Sequence, residues 1–177
     1  MQLFHNQLQN NKFSLIMSIP KNDPSMVKAA FDNGADAVKM HINVNHRASK
    51  NHFGSFAEEK ENIQKILEIA DCRPMGIVIG GDPQSADNDL ANIIDAGFSF
   101  CSLYAHHTPV SVLQQTAISK MIACDYSYTM EDIRLFERIG ADIVEASVVH
   151  PEEYGTRLTA REIITYTKLA NNCNLPI

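Results

Sequence analysis

Residues 34–56, GADAVKMHINVNHRASKNHFGSF, decide how the chain is read. The first part, 36–43, is a strand. Taken with a period of two, Val38, Met40 and Ile42 share one face, while Ala37, Lys39, His41 and Asn43 share the other. A strand whose second face carries Lys, His and Asn does not lie between two apolar layers; that face looks into a polar interior. The stretch then passes into a segment expected to be an unpaired polar loop, with His46, Arg47, Ser49, Lys50, Asn51 and His52, before a helix over about 56–70. A long polar loop in a compact domain is more often functional than not.

Strand and helix alternate on both sides of this stretch. Strands are expected at 13–20, 75–82, 98–105, 120–127 and 141–149, and helices at about 24–33, 85–96, 110–118, 130–140 and 160–172. Asp23 and Thr129 stand at N-cap positions, Pro24 at a first helical turn, and Thr159 at the start of the last helix. Residues 1–12 suit a short helix or an ordered tail, and Leu175-Pro176-Ile177 the opening of a seventh strand. Three helix-to-strand junctions repeat one pattern: Gly34-Ala35-Asp36, Gly97-Phe98-Ser99 and Gly140-Ala141-Asp142. Strict alternation implies parallel strands with right-handed crossovers. A repeated βα unit without a glycine-rich dinucleotide fingerprint after the first strand favours the α/β class, as a parallel (β/α) TIM-type barrel, over an open doubly wound sheet. A whole barrel takes about 250 residues. Residues 1–177 are therefore expected to be a single barrel domain of about six units, its C-terminal units missing from this chain or supplied by a partner.

Composition narrows the function classes. With 45% apolar and 20% charged residues the chain is an ordinary globular domain, and a net charge of −6 argues against nucleic acid. No window is apolar enough for a membrane span, and the first residues lack signal-peptide order. Cys72, Cys101, Cys124 and Cys173 show no CxxC spacing and are expected to be buried, reduced thiols of a cytoplasmic protein.

Aligning the three junctions makes inward positions comparable: Ala37, Lys39, His41 and Asn43; Phe100, Ser102, Tyr104 and His106; Ile143, Glu145, Ser147 and Val149. Lys39 and Glu145 fall at one depth and should face each other, directly or through a ligand, because an unpaired buried charge is too costly. In such barrels the site lies at the carboxyl ends of the strands. That rule adds His46, Arg47, Lys50, Asp82, Tyr104, His106 and Asp125 as substrate-binding candidates beside Asn43. Lys39, Glu145 and His41 are the catalytic candidates. Lys39 reads either as a chemical group, for proton transfer or as a Schiff-base amine, or as half of a structural ion pair, and His41 as a metal ligand, an acid/base group or a hydrogen-bonded interior histidine.

The segment DAVKMHINV (36–44) resembles the His-x-Asp segment of pentulose-phosphate epimerases, with His41 at the histidine and Asn43 at the aspartate. FSFCSLYAHH (98–107) is similar to their strand-four His segment. The chain thus resembles the ribulose-phosphate-binding class of (β/α)8 barrels. That resemblance implies a sugar-phosphate epimerase-like activity and a divalent metal, yet the neutral amide of Asn43 stands where a carboxylate ligand would be needed. Lys39 opposed to Glu145 is also similar to metal-independent amino-sugar-phosphate epimerases. The expectation is an enzyme without a cofactor, acting on a small phosphorylated carbonyl compound by abstracting a proton next to the carbonyl. Arg47, Lys50 and His106 would hold the anion, and the protein would be a homo-oligomer. A Schiff-base aldolase or lyase, and a non-catalytic barrel that binds a metabolite and oligomerises, are the alternatives.

Overall fold

The repeated junctions are the joints of the fold. Gly34, Gly97 and Gly140 all take the left-handed backbone that ends a helix, with φ of 92°, 87° and 102°. Two residues on, Asp36, Ser99 and Asp142 turn back onto the preceding strand. Leu15 N–H donates to Asp36 Oδ2 at 2.7 Å, Met75 N–H to Ser99 Oγ at 3.3 Å, and Lys120 N–H to Asp142 Oδ2 at 2.8 Å. The backbone N–H groups of the same three residues donate to the carbonyls of Leu15, Met75 and Lys120. The sequence repeat is therefore a two-way tie between consecutive parallel strands.

The computed structural model describes residues 4–11 and 13–177. In chain order the elements are α1 (Phe4–Asn10), β1 (Ile16–Ser18), α2 (Pro24–Asp32), β2 (Ala37–His41), β3 (Val44–Asn45), β4 (His52–Phe53) and α3 (Phe56–Ala70). Then come β5 (Met75–Val78), α4 (Pro83–Ala96), β6 (Phe100–Tyr104), α5 (Val110–Leu113), β7 (Ser119–Asp125), α6 (Met130–Ile139), β8 (Ile143–Ser147) and α7 (Ala160–Asn172). One parallel sheet runs β1-β2-β5-β6-β7-β8. Four strand spacings of about 4.8 Å would put β2 and β8 about 19 Å apart in a flat sheet. Side chains from the two touch instead (Lys39 and Glu145, 2.6 Å), so the sheet is curled into most of a barrel.

The alternation within the strands accounts for both layers. Val38, Met40, Ile42, Cys101 and Leu103 point outward and pack with Val27, Phe31, Ile63, Ile66 and Ile93 of the helices. Val144, Ile122 and Cys124 do the same beneath Ile133, Phe136 and Leu169. Inside, Ala37, Phe100, Met121 and Ile143 form a separate cluster closed from below by Phe4, whose ring stacks on Phe100 at 4.6 Å. Helix α1 is thus a plug rather than a tail; residues 1–3 and 12 lie outside the described residues. Gly76 is demanded by the same packing. A Cβ there would come within 2.1 Å of Phe100 Cζ.

Four expectations need correcting. The stretch 44–53 is not an unpaired loop: β3 and β4 form an antiparallel hairpin with Val44 opposite Phe53 and Asn45 opposite His52. Phe53 is 2% exposed, and this burial is what pulls the loop into order. The first strand is shorter than 13–20, because Phe13 is 80% exposed and unpaired by the sheet. The helix expected over 110–118 is a single turn. Cys72 is exposed, in a left-handed turn after α3, whereas Cys101 and Cys124 are buried. At the other end, Pro176 O accepts the Val144 N–H at 2.9 Å, so residues 175–177 run beside β8 where a next strand would lie.

Candidate active site

The interior is stratified. Above the apolar cluster lies one charged pair: Lys39 Nζ donates to Glu145 Oε2 at 2.6 Å. Ser102 Oγ donates to the same oxygen at 2.7 Å. The Lys39 side chain is 8% exposed and that of Glu145 35%, so the carboxylate is the half of the pair that faces open space. Burial works to raise the Glu145 carboxyl, but the charge and hydrogen bond of Lys39, with the Ser102 hydroxyl, outweigh it and hold it below the usual carboxylate range.

One layer higher, Tyr104 and Ser147 share a hydrogen bond of 2.9 Å. His41 lies opposite, 3% exposed, with its ring 4.4 Å from that of His46 and 4.9 Å from Phe53. Burial first, then the charges of His46 and Lys39, push the His41 imidazole from 6.5 down to about 3, so it is neutral at pH 7. Its Nδ1 is buried without a hydrogen-bond partner. Asn22 fixes the strand here, donating to His41 O at 2.7 Å and accepting from His41 N–H at 3.3 Å. These layers form the floor of a cleft of about 670 Å³ at the carboxyl ends of the strands.

The other expected residues divide. Arg47, His46, Tyr104, His106, Asp82, Asp125 and Asn43 all border the cleft. Arg47 is exposed and makes no hydrogen bond or ion pair among the described residues. Lys50 does not border it; it sits in the hairpin turn at φ 61° with its N–H bonded to His46 O. Three side chains are occupied by the fold. Asn43, at φ 53°, donates its amide to Ile79 O at 3.1 Å and Asp89 Oδ2 at 2.7 Å. Asp82 caps α4 with both oxygens on Ser85, at 2.9 and 2.7 Å. Asp125 accepts from Ser127 N–H and Oγ. His106 stacks on Tyr104 and meets Tyr128 OH through Nδ1 at 3.3 Å.

The divalent metal of the resemblance does not fit these residues. Asn43 presents its donors to Asp89 rather than an oxygen to the cleft, and no three His, Cys, Asp or Glu side chains gather at ligand distance among the described residues. The strand pattern puts Ser102 and Ser147 inward without giving them a part, and their parity with Glu145 is the one signal of their place beside it. Asn22 had no such signal, because it lies in a loop outside the strand pattern.

Neither a protein-family model nor a curated protein matches the sequence. Solved structures do match in shape. N-Acetylmannosamine-6-phosphate 2-epimerase from Clostridium perfringens superposes with a TM-score of 0.61 at 16% identity, over 99% of this chain and 80% of its own. A chain of the tryptophan synthase complex of Pyrococcus furiosus gives 0.61 at 14% identity, over 92% and 75%. A 2,3-dimethylmalate lyase gives 0.57 at 14% identity, over 81% of this chain and 62% of the lyase. This chain spans less than two thirds of that lyase. The likeness is one of fold: these are TIM barrels. No helix among the described residues is long and apolar enough to cross a membrane.

Proposed function

We propose that the chain is a proton-transfer enzyme, an epimerase or isomerase that removes a proton next to the carbonyl of a small phosphorylated compound. The observation that carries this reading is the Lys39–Glu145 contact of 2.6 Å at the floor of the cleft. A carbonyl oxygen and the C–H beside it are neighbours, and so are the ammonium and the carboxylate. Glu145 takes the proton, and Lys39 donates a hydrogen bond to the enolate oxygen as charge develops there. A positioned acid/base group contributes about 10²–10⁴-fold. His41, neutral and buried, orients the substrate without adding a charge that would compete for Glu145. Arg47 at the rim, unengaged by the fold, suits the phosphate. The epimerase of the same fold, whose named substrate is a phosphorylated amino sugar, supports this substrate class. The ion pair counts against a Schiff base, since that needs the lysine lone pair rather than an ammonium held by a carboxylate.

The test is exchange of the α-proton in D2O, followed by proton NMR, over a panel of phosphorylated aldoses, ketoses and N-acetylamino sugars. At least one compound should exchange, and Lys39→Met and Glu145→Gln should abolish it while circular dichroism stays native. A folded Lys39→Met protein that exchanges like wild type would sink the assignment.

A further inference from the structure

Lys39 and Ser102 come from two different strands, yet both donate to one oxygen of Glu145, Oε2. The other oxygen, Oε1, accepts no hydrogen bond among the described residues, and it is not enclosed either, since among those residues the one buried unpartnered side-chain atom is His41 Nδ1. Ser102 is 2% exposed and sits on β6 near the middle of the sheet, so its hydroxyl has little access to water. A carboxylate held by one oxygen from two directions has lost its freedom to rotate about its last bond.

We propose that Ser102 is a positioning residue: together with Lys39 it pins Glu145 by Oε2 and thereby makes Oε1 the oxygen that receives the substrate proton. This rests on the proton-transfer reading above and deepens it. In the step, the C–H proton moves to Oε1 and the C–H electron pair becomes the new C=C bond. The carbonyl π pair moves onto oxygen, where a second N–H of the Lys39 ammonium receives it. Return of the proton from Oε1 to the opposite face of the same carbon, once the enolate has turned over, re-forms the C–H bond and the carbonyl with inverted configuration and regenerates the carboxylate, so no oxidant or further reactant is needed. Lysine has three N–H donors, and only one is spent on Oε2. Without the Ser102 hydroxyl, Oε2 keeps a single donor, the carboxyl group swings, and both oxygens sample the cleft.

The test uses the full chain with Ser102→Ala and, as the variant that keeps the hydroxyl, Ser102→Thr. The first readout is the carbon-13 titration of the Glu145 carboxyl, which needs no substrate. Loss of a donor to the ionised form should move the midpoint to higher pH in Ser102→Ala and leave it near wild type in Ser102→Thr. The second is the pH profile of α-proton exchange. Its acid limb should move the same way in Ser102→Ala, with kcat down by as much as about 100-fold, the cost of a misplaced group, and KM little changed. An unmoved midpoint in a folded Ser102→Ala protein overturns the proposal, and so does exchange with the wild-type rate and profile. If wild type exchanges nothing, the proton-transfer reading fails, and the titration alone decides whether Ser102 fixes Glu145.

Discussion

The two halves of the Lys39–Glu145 pair differ in burial, and that difference predicts an asymmetry in stability. Breaking a fully buried ion pair by removing one partner costs about 3–5 kcal/mol, because the other charge is stranded. Glu145→Gln strands the Lys39 ammonium, whose side chain is 8% exposed and has no second acceptor among the described residues. Gln keeps an oxygen in place but not the charge, so the low end, about 3 kcal/mol, is expected. Lys39→Met strands the Glu145 carboxylate instead. That group is 35% exposed and keeps its Ser102 hydrogen bond, so solvent screening brings the cost down to about 1 kcal/mol. The double variant removes both charges and should cost clearly less than the sum of about 4 kcal/mol. Urea denaturation at pH 7 with unchanged slopes measures all three. The folded-state value of Glu145 lies below its unfolded one, so its stabilisation is present above pH 4.5 and is lost as pH falls through the folded value. Lys39→Met should shrink that acid loss. Equal costs for the two single variants, or strict additivity in the double, would refute the reasoning.

Other expectations follow from single residues. The folded-state value of His41 is about 3, below the unfolded 6.5, so below pH 6.5 the unfolded chain takes up a proton that the folded chain refuses. Stability should fall by about 1.4 kcal/mol per pH unit from this residue, and His41→Gln should flatten the slope between pH 6.5 and 4.5 in urea melts. Asn43→Asp would recreate the carboxylate of the pentulose-phosphate epimerases, but against Asp89, which now accepts the Asn43 amide at 2.7 Å. The variant should lower the melting temperature and gain no affinity for Mn²⁺ by calorimetry. Gly76→Ala would force the wholly buried Phe100 ring off its Phe4 stack, costing about 1–3 kcal/mol, and Phe100→Leu in the same chain should restore part of it.

The barrel was legible because two signals agree. Period-two alternation put Lys39, Ser102 and Glu145 on one side and Val38, Cys101 and Val144 on the other, and the glycine junctions set the strands in a common register. Contact between Lys39 and Glu145 needed only those two facts and the cost of an unpaired charge. What stayed hidden depends on partners distant in sequence. Asp82 and Asp125 do border the cleft, but nothing local distinguishes an available carboxylate from one engaged by a cap or a tight turn. Asn43 also borders the cleft, but the engagement of its amide by Asp89, 46 residues away, cannot be read from spacing. The hairpin in residues 44–53 was lost among polar letters, its order resting on the buried Phe53 opposite Val44.

The plug at the base of the barrel ties the beginning of the described chain to its later half. Phe4 rests on Phe100, and His5 N–H donates to Ser119 Oγ, with its ring 4.0 Å from Asp142. On a ribosome, those partners emerge more than ninety residues after the plug itself, so Phe4 and His5 cannot take up these contacts until β6 and β7 have been made. Closure of the floor beneath the Lys39–Glu145 pair is then a late event of folding. Until it happens, the apolar cluster around Phe100 remains open to water from below.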